Sequence, residues 1–263
     1  MAECVQGLLL ENEALGENYF RLKVACPPLA QKARPGQFVQ IKCGEHLDPL
    51  LRRPISIHRY NSTDGTLEFL IRRKGKGTIW LGNQKPGADL DLLGPLGRGF
   101  SLNQEKALIT GGGIGVAPLL ALAEALHNQG NPPVTLLGAN TAGDLLRVAE
   151  FKEVSQSVEL ATMDGSLGRQ GLVTDLLRTE LEQGFKGFIY TCGPEPMLEA
   201  VAALAGEYGL KGEASLEANM ACGVGVCLGC TCSIRKDNGE FYAHVCTDGP
   251  VFPLEVVKGY GQS

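Results

Sequence analysis

The chain has 263 residues, 24 of them Lys or Arg and 29 Asp or Glu, for a formal net charge of −5. With 44% hydrophobic and 20% charged residues it has a globular composition, which excludes disorder and a long coiled coil, and its length suits one large domain or two to three small ones. The mildly acidic balance lacks the basic footprint of a nucleic-acid binder, and no apolar run approaches the ~18 residues of a membrane-spanning helix. The start, Met1-Ala2-Glu3-Cys4, carries no basic segment ahead of an apolar one, so no secretory signal is read and a cytoplasmic location is expected.

Residues 1–102 read as β structure. Gln37–Lys42, Pro54–Ile57 and Thr66–Ile71 are short strand-like runs separated by turn clusters such as Pro35-Gly36 and Asn61–Gly65, a pattern of antiparallel barrels or sandwiches. A helix is expected around Thr78–Leu81, just after Gly75-Lys76-Gly77. Leu93–Phe100 is rich in Gly and Pro and reads as a loop or domain edge.

Residues 103–212 alternate strand and helix. The strands are Ala107–Thr110, Val134–Leu137, Val158–Thr162 and Gly187–Thr191. The helices start at Val116, near Leu172 and at Glu195. That alternation implies a parallel sheet with helices on both faces. Residues 213–263 lose helical periodicity and form a third, small module, too short for a large core of its own and dependent on a bound inorganic centre. The fold class is therefore multidomain: an antiparallel β-barrel, an α/β parallel-sheet nucleotide domain and a small C-terminal module.

Glycine is abundant, at 35 residues, and clustered where backbone would approach a ligand. There are 9 cysteines, an odd number, in a chain read as cytosolic, which favours a metal or redox site over a disulfide framework. The spacing Cys222-x4-Cys227-x2-Cys230-x15-Cys246 is that of a plant-type [2Fe–2S] centre. Two irons bridged by sulfide need four thiolates from one wrapped loop and one returning segment, and Gly223, Gly225 and Gly229 let loop amides turn toward the sulfurs. A structural zinc site is the alternative, although zinc ribbons pair two short knuckles and here the fourth cysteine stands alone. Cys232 reads as a bystander, and Cys4, Cys26 and Cys43 as core residues.

Two strand–turn–helix junctions suit an anion. Thr110-Gly111-Gly112-Gly113-Ile114-Gly115 precedes a helix, and Thr191-Cys192-Gly193-Pro194 does the same further on. The first is not G-x-G-x-x-G, and a close strand–helix packing turn is the alternative reading of its glycines. Cys192 sits either beside a reactive ring or merely in a tight turn. Arg53-Pro54-Ile55-Ser56 and Gly75-Lys76-Gly77-Thr78 offer a phosphate-binding arginine and a helix start; a solvated basic turn is the alternative. Asp164-Gly165-Ser166 is expected to line the nucleotide cleft. The absence of an arginine after Leu137 until Arg147 favours NAD over NADP.

Taken in order, R-P-I-S, G-K-G-T, G-G-G-I-G-V-A-P, C-G-P-E-P-M and C-x4-C-x2-C…C resemble the ferredoxin–NAD(P) reductase superfamily over nearly the whole chain, and most closely the electron-transfer subunits of class 1B dihydroorotate dehydrogenases. The resemblance implies an FAD barrel at 1–102, an NAD domain at 103–212 and a [2Fe–2S] module at 213–263. It implies that Arg53, Pro54, Ile55, Ser56, Leu70, Ile71, Arg72, Gly77 and Thr78 hold FAD. Gly111, Gly112, Gly113, Gly115, Cys192, Gly193 and Pro194 would hold NAD, and Cys222, Cys227, Cys230 and Cys246 would ligate the cluster. Ile55 departs from the family pattern, since many members carry a tyrosine there that packs on the flavin. The implied partner is an FMN-containing catalytic subunit in a heterotetramer of two of each, acting in pyrimidine biosynthesis. Without that partner the chain is not expected to oxidise dihydroorotate. A related alternative is the small subunit of an NADH-dependent ferredoxin:NADP or sulfide-type oxidoreductase, where the first cluster ligand is an aspartate rather than Cys222. A zinc-stabilised nucleotide sensor is a third reading, and it predicts a colourless protein.

Overall fold

The computed structural model describes residues 2–44, 48–236 and 239–257; residues 258–263, the end of the expected third segment, lie outside them. The N-terminal half builds β1 (Glu3–Leu15), β2 (Tyr19–Ala25), the short helix α1 (Pro27–Ala30), β3 (Phe38–Ile41), β4 (Arg53–Ser56), β5 (Arg59–Asn61), β6 (Thr66–Arg72), α2 (Lys76–Gly82) and β7 (Asp89–Leu96). The strands form one antiparallel sheet in the order β4-β3-β7-β1-β2-β6-β5, rolled so that β4 comes back against β6. Alternation along the strands decides which way each side chain points. Leu22 and Val24 of β2, Val39 and Ile41 of β3 and Leu67, Phe69 and Ile71 of β6 fill the barrel. Leu70 and Tyr19 face outward into a second core, and Phe38 into a third.

Two expectations for this half need correction. Leu93–Leu96 is not loop but the end of β7. Phe38 pairs with Leu96 while Gln40 pairs with Leu93, so Gly94-Pro95 occupies a bulge, where the missing Pro amide breaks no ladder bond. A side chain at Gly94 would stand 2.8 Å from Val39, which is why a glycine is used inside a strand. The strands β1 and β2 carry alternating charges along their outer face and do not stand out as apolar runs. Arg21, for example, pairs with Glu13 at 2.8 Å and with Glu68 at 3.1 Å. Cys26 and Cys43 are core residues as expected, whereas Cys4 is exposed beside Asp91 and Arg52.

The second half continues with β8 (Ala107–Gly112), α3 (Leu119–Asn128), β9 (Val134–Ala139), α4 (Val148–Val154), β10 (Ser157–Thr162), β11 (Arg169–Gln170), α5 (Val173–Glu182), β12 (Phe188–Cys192), α6 (Glu195–Glu207), β13 (Lys211–Ser215), β14 (Thr231–Lys236), β15 (Gly239–His244) and β16 (Val251–Pro253). Seven of these strands form a sheet in the order β11-β10-β9-β8-β12-β13-β16, parallel except for β16. Successive residues serve opposite faces. Leu108, Leu136 and Ile189 pack under α5 and α6, while Ile109, Leu137 and Tyr190 pack under α3 and α4. Both faces are therefore apolar, as a doubly covered parallel sheet requires.

The expected boundary at residue 102 falls in the connection between β7 and β8, whereas the one between 212 and 213 falls inside β13. The tail does not fold apart from the sheet. Its strand β16 extends it, and Cys230, Cys232, Ile234, Val245 and Cys246 sit in the same core as α5 and α6.

His58 locks the barrel onto α3. Its ring is fully buried, with Nδ1 2.8 Å from the Ala117 carbonyl, and its own carbonyl accepts the Ala121 amide at 3.1 Å. Burial, reinforced by Arg147, Arg59 and Arg21 and opposed by the Ala117 carbonyl, pushes the imidazole down to about 3. The ring is thus neutral when folded but takes a proton on unfolding at any pH below its ordinary value of about 6.5. Stability should fall as pH drops through the window from about 6.5 to about 3, by up to about 1.4 kcal/mol per pH unit from this group. In chemical denaturation at stepped pH, His58→Asn should show the shallower decline; parallel curves would contradict the assignment.

Candidate functional site

The parallel strands reverse their order at β8, with β9 on one side and β12 on the other, and open sheets bind ligands at the carboxyl ends beside such a switch point. A cavity of about 720 Å³ lies there, between that edge of the sheet and the barrel. From the barrel it is lined by Pro54, Ile55 and Ser56 of β4, by Leu70, Ile71 and Arg72 of β6 and by Thr78 of α2. From the sheet it is lined by Gly112, Gly113 and Gly115 after β8 and by Cys192, Gly193 and Pro194 after β12. Sequence-distant turns thus meet at one place.

Of the residues expected to hold the cofactors, Gly111, Arg53 and Gly77 lie outside this lining. Gly111 is packed against Leu119 and Val116, where a Cβ would stand 3.0 Å from each. Arg53 lies across Gly77, where a Cβ would stand 2.7 Å from its Nε, and its Nη1 donates to the Leu51 carbonyl at 2.6 Å. Of the segment Asp164–Ser166 none reaches the cavity; the neighbouring Met163 and Gly171 do. Asp164 accepts from the Ser166 amide and hydroxyl, which holds its carboxyl below the usual range.

The glycines of the two turns serve two purposes. A Cβ on Gly115 would stand 2.5 Å from the Cys192 carbonyl oxygen, and one on Gly112 2.5 Å from Met197 Sδ, so these positions allow the turns to interlock. Gly113 is different. Its φ of +53° favours glycine, and a Cβ there would meet nothing within 4 Å, leaving backbone open to the cavity. Open backbone ahead of a helix is a geometry that suits an anion. Burial pushes the Cys192 thiol well above its ordinary range, so it stays protonated and acts as a neutral wall, not a thiolate.

Sequence reasoning missed Tyr19, Asp144, Ser215 and Met220 in the lining. Tyr19 donates its hydroxyl to Asp144 at 3.3 Å, joining barrel to nucleotide sheet. No motif marks Tyr19 or Ser215; only the fold brings these residues together.

The cysteine loop lies beside the cavity. Gly223 and Gly225 adopt φ of +72° and +81°, and Leu228 a φ of +59°, so the chain wraps with its amides inward. Val224 and Cys227 amides donate to Cys222 Sγ, both at 3.4 Å. Gly225 donates to Cys246 Sγ at 3.2 Å and Gly229 to Cys227 Sγ at 3.5 Å. Those amides pull the Cys222 thiol down to about 6, whereas burial holds Cys246 up at about 11. Cys230 and Cys246 are buried, while Cys227 is exposed. Cys232 turns into the core, as expected of a bystander. A two-iron unit spreads its thiolates over two metals, and amides aimed at sulfur are what such a cluster accepts as hydrogen bonds. The donor set fits the cluster. Met220, two residues and at most about 7 Å before Cys222, lines the cavity, as does Pro250 just beyond Cys246, so the two sites share a wall.

Comparison with known proteins agrees with this geometry. Residues 217–258 match the family described as the iron-sulfur cluster binding domain of dihydroorotate dehydrogenase B, and residues 109–203 the oxidoreductase NAD-binding domain. The chain is 39% identical over 255 residues to the dihydroorotate dehydrogenase B (NAD(+)) electron transfer subunit of Desulforamulus reducens, covering 96% of this chain and 97% of that one. It is 40% identical over 252 residues to the protein of the same name from Geobacillus thermodenitrificans, covering 93% and 94%. Among solved structures, one of an NADH-dependent reduced ferredoxin-NADP oxidoreductase matches with a TM-score of 0.85 at 30% identity, over 97% of this chain and 91% of that one. With so complete a match in sequence, and a fold to go with it, the chain belongs to the family of dihydroorotate dehydrogenase B electron transfer subunits.

Proposed function

We propose that this chain carries electrons from a dihydroorotate-oxidising catalytic subunit, through a [2Fe–2S] cluster and FAD, to NAD⁺. When bound, FAD exchanges electrons singly with the cluster and in pairs, as hydride, with NAD⁺. The observation that carries the reading is the shared wall: Met220 and Pro250 line the cavity and flank the cysteine loop. In this reading Pro54, Ile55, Ser56, Leu70, Ile71 and Arg72 position the flavin, Arg53 holds its pyrophosphate, and Gly77 and Thr78 cap the phosphates. Gly112, Gly113 and Gly115, with Cys192, Gly193 and Pro194, seat the nicotinamide nucleotide, and Gly111 sets the strand–helix packing that holds that turn. Cys222, Cys227, Cys230 and Cys246 ligate the cluster. The catalytic subunit holds FMN, two of each subunit form the assembly, and it works in the cytoplasm, within pyrimidine biosynthesis. Among the described residues no helix is long and apolar enough to cross a membrane.

Support for the division of labour comes from what the cavity contains. Its walls combine glycine backbone and apolar side chains with the charged Arg72, Lys74, Asp144 and Glu217, a surface that can seat both rings and phosphates. The experiment is anaerobic co-expression with a catalytic subunit and assay of NADH formation from dihydroorotate. The complex should form NADH and this chain alone should not; a complex that never reduces NAD⁺ would refute the direction of flow.

A second reading, the small subunit of an NADH-dependent ferredoxin:NADP oxidoreductase, is favoured by the structural match at a TM-score of 0.85. Cys222 at the first ligand position separates the two, and activity with ferredoxin and NADP⁺ but not with dihydroorotate would select the second.

A further inference from the structure

Gln40 is a polar residue in a strand that is otherwise apolar. Along β3, Val39 and Ile41 point into the barrel core, so Phe38 and Gln40 face outward. An outward carboxamide ordinarily meets water. Gln40 is nevertheless 0% exposed, and neither its Oε1 nor its Nε2 has a hydrogen-bond partner among the described residues. Buried polar groups in folded proteins are almost always paired, so a side chain held this way has a specific cause.

The cysteine loop is what covers it. A Cβ on Gly223 would stand 2.8 Å from both Cγ and Nε2 of Gln40, so the loop rests directly on the carboxamide one residue after Cys222. On the other side, Pro54 is the cross-strand partner of Gln40 and Phe38 lies two residues along; both line the cavity. The carboxamide therefore stands between the flavin side of the molecule and the first cluster cysteine. Replacing Gly223 with any other residue would push the loop off it.

We propose that Gln40 is a positioning residue of the electron relay. Its Nε2–H, unpaired with the loop's own thiols, would donate to inorganic sulfur on the Cys222 side of a bound cluster, complementing the Val224 and Cys227 amides on Cys222 Sγ. The inference rests on the cluster reading above. Reduction places one added negative charge on the iron–sulfur unit, and a hydrogen bond to sulfur is stronger when that charge is present, so the donor favours the reduced form. The same contact fixes the loop to the barrel strand that lines the flavin side.

The test uses the full chain with its flavin and cluster. In an EPR-monitored redox titration, Gln40→Leu should keep full iron, sulfide and FAD. At a fixed potential its ratio of reduced to oxidised cluster should fall about tenfold, equivalent to about 59 mV for one electron, with the flavin potential unmoved. In the unaltered protein, ¹⁵N in glutamine side chains should give a nitrogen coupling to the reduced cluster in pulsed EPR, whatever the fate of the variant. A cluster potential unchanged in Gln40→Leu, a shift in the flavin instead, or no ¹⁵N coupling in the unaltered protein overturns the inference. Protein with full flavin and no cluster would overturn the underlying reading instead.

Discussion

Cys227→Ser should abolish the iron–sulfide absorbance while leaving the flavin spectrum in place. Cys227 is exposed at the tip of the loop, where its Sγ accepts from the Gly229 amide at 3.5 Å and meets the Cys222 side chain, and it is not part of the buried cores. Its removal therefore costs little in packing and acts on ligation alone. NADH-dependent dye reduction needs only the cavity side and should survive in part. Dihydroorotate-linked NADH formation should fall by on the order of a hundredfold or more, because the single-electron route between two-electron partners is cut. Iron and absorbance unchanged in the variant would remove Cys227 from the ligand set.

Gly115→Ala should damage the other end of the relay. The new Cβ would stand 2.5 Å from the Cys192 carbonyl oxygen and 2.6 Å from Gly193 Cα. Both are backbone, with no flexible side chain to swing aside, so the two nucleotide turns must separate. Overpacking of this kind costs about 1–3 kcal/mol. The larger effect is on geometry: the KM for NADH should rise and hydride transfer slow, with cluster and flavin spectra unchanged. Gly206→Ala is the control. It lies in α6 with nothing within 4 Å of its Cβ, and alanine there should stabilise by about 0.5–1 kcal/mol without altering kinetics. Equal kinetics in Gly115→Ala and the unaltered protein would contradict the interlocked-turn account.

How far the sequence could be read depended on whether a signal was local. The cysteine spacing, the two glycine junctions and the alternation of β8 through α6 are local patterns, and each appears where expected. The failures share one cause: a residue's surroundings were set by a distant segment. Gly94-Pro95 reads as a break until β3 is placed beside it, when it becomes a bulge. The tail reads as independent because its apolar residues are few. They share a core with α5 and α6, which no window along the chain reveals. Tyr19 and Asp144, which meet across the cavity, are separated by more than a hundred residues and carry no motif.

Protein purified without oxygen and analysed for iron, inorganic sulfide, zinc and flavin together tests the centre of this account. About two irons and two sulfides per chain alongside bound FAD, in a brown-yellow solution, is the result it requires. Stoichiometric zinc with neither sulfide nor visible absorbance would contradict it.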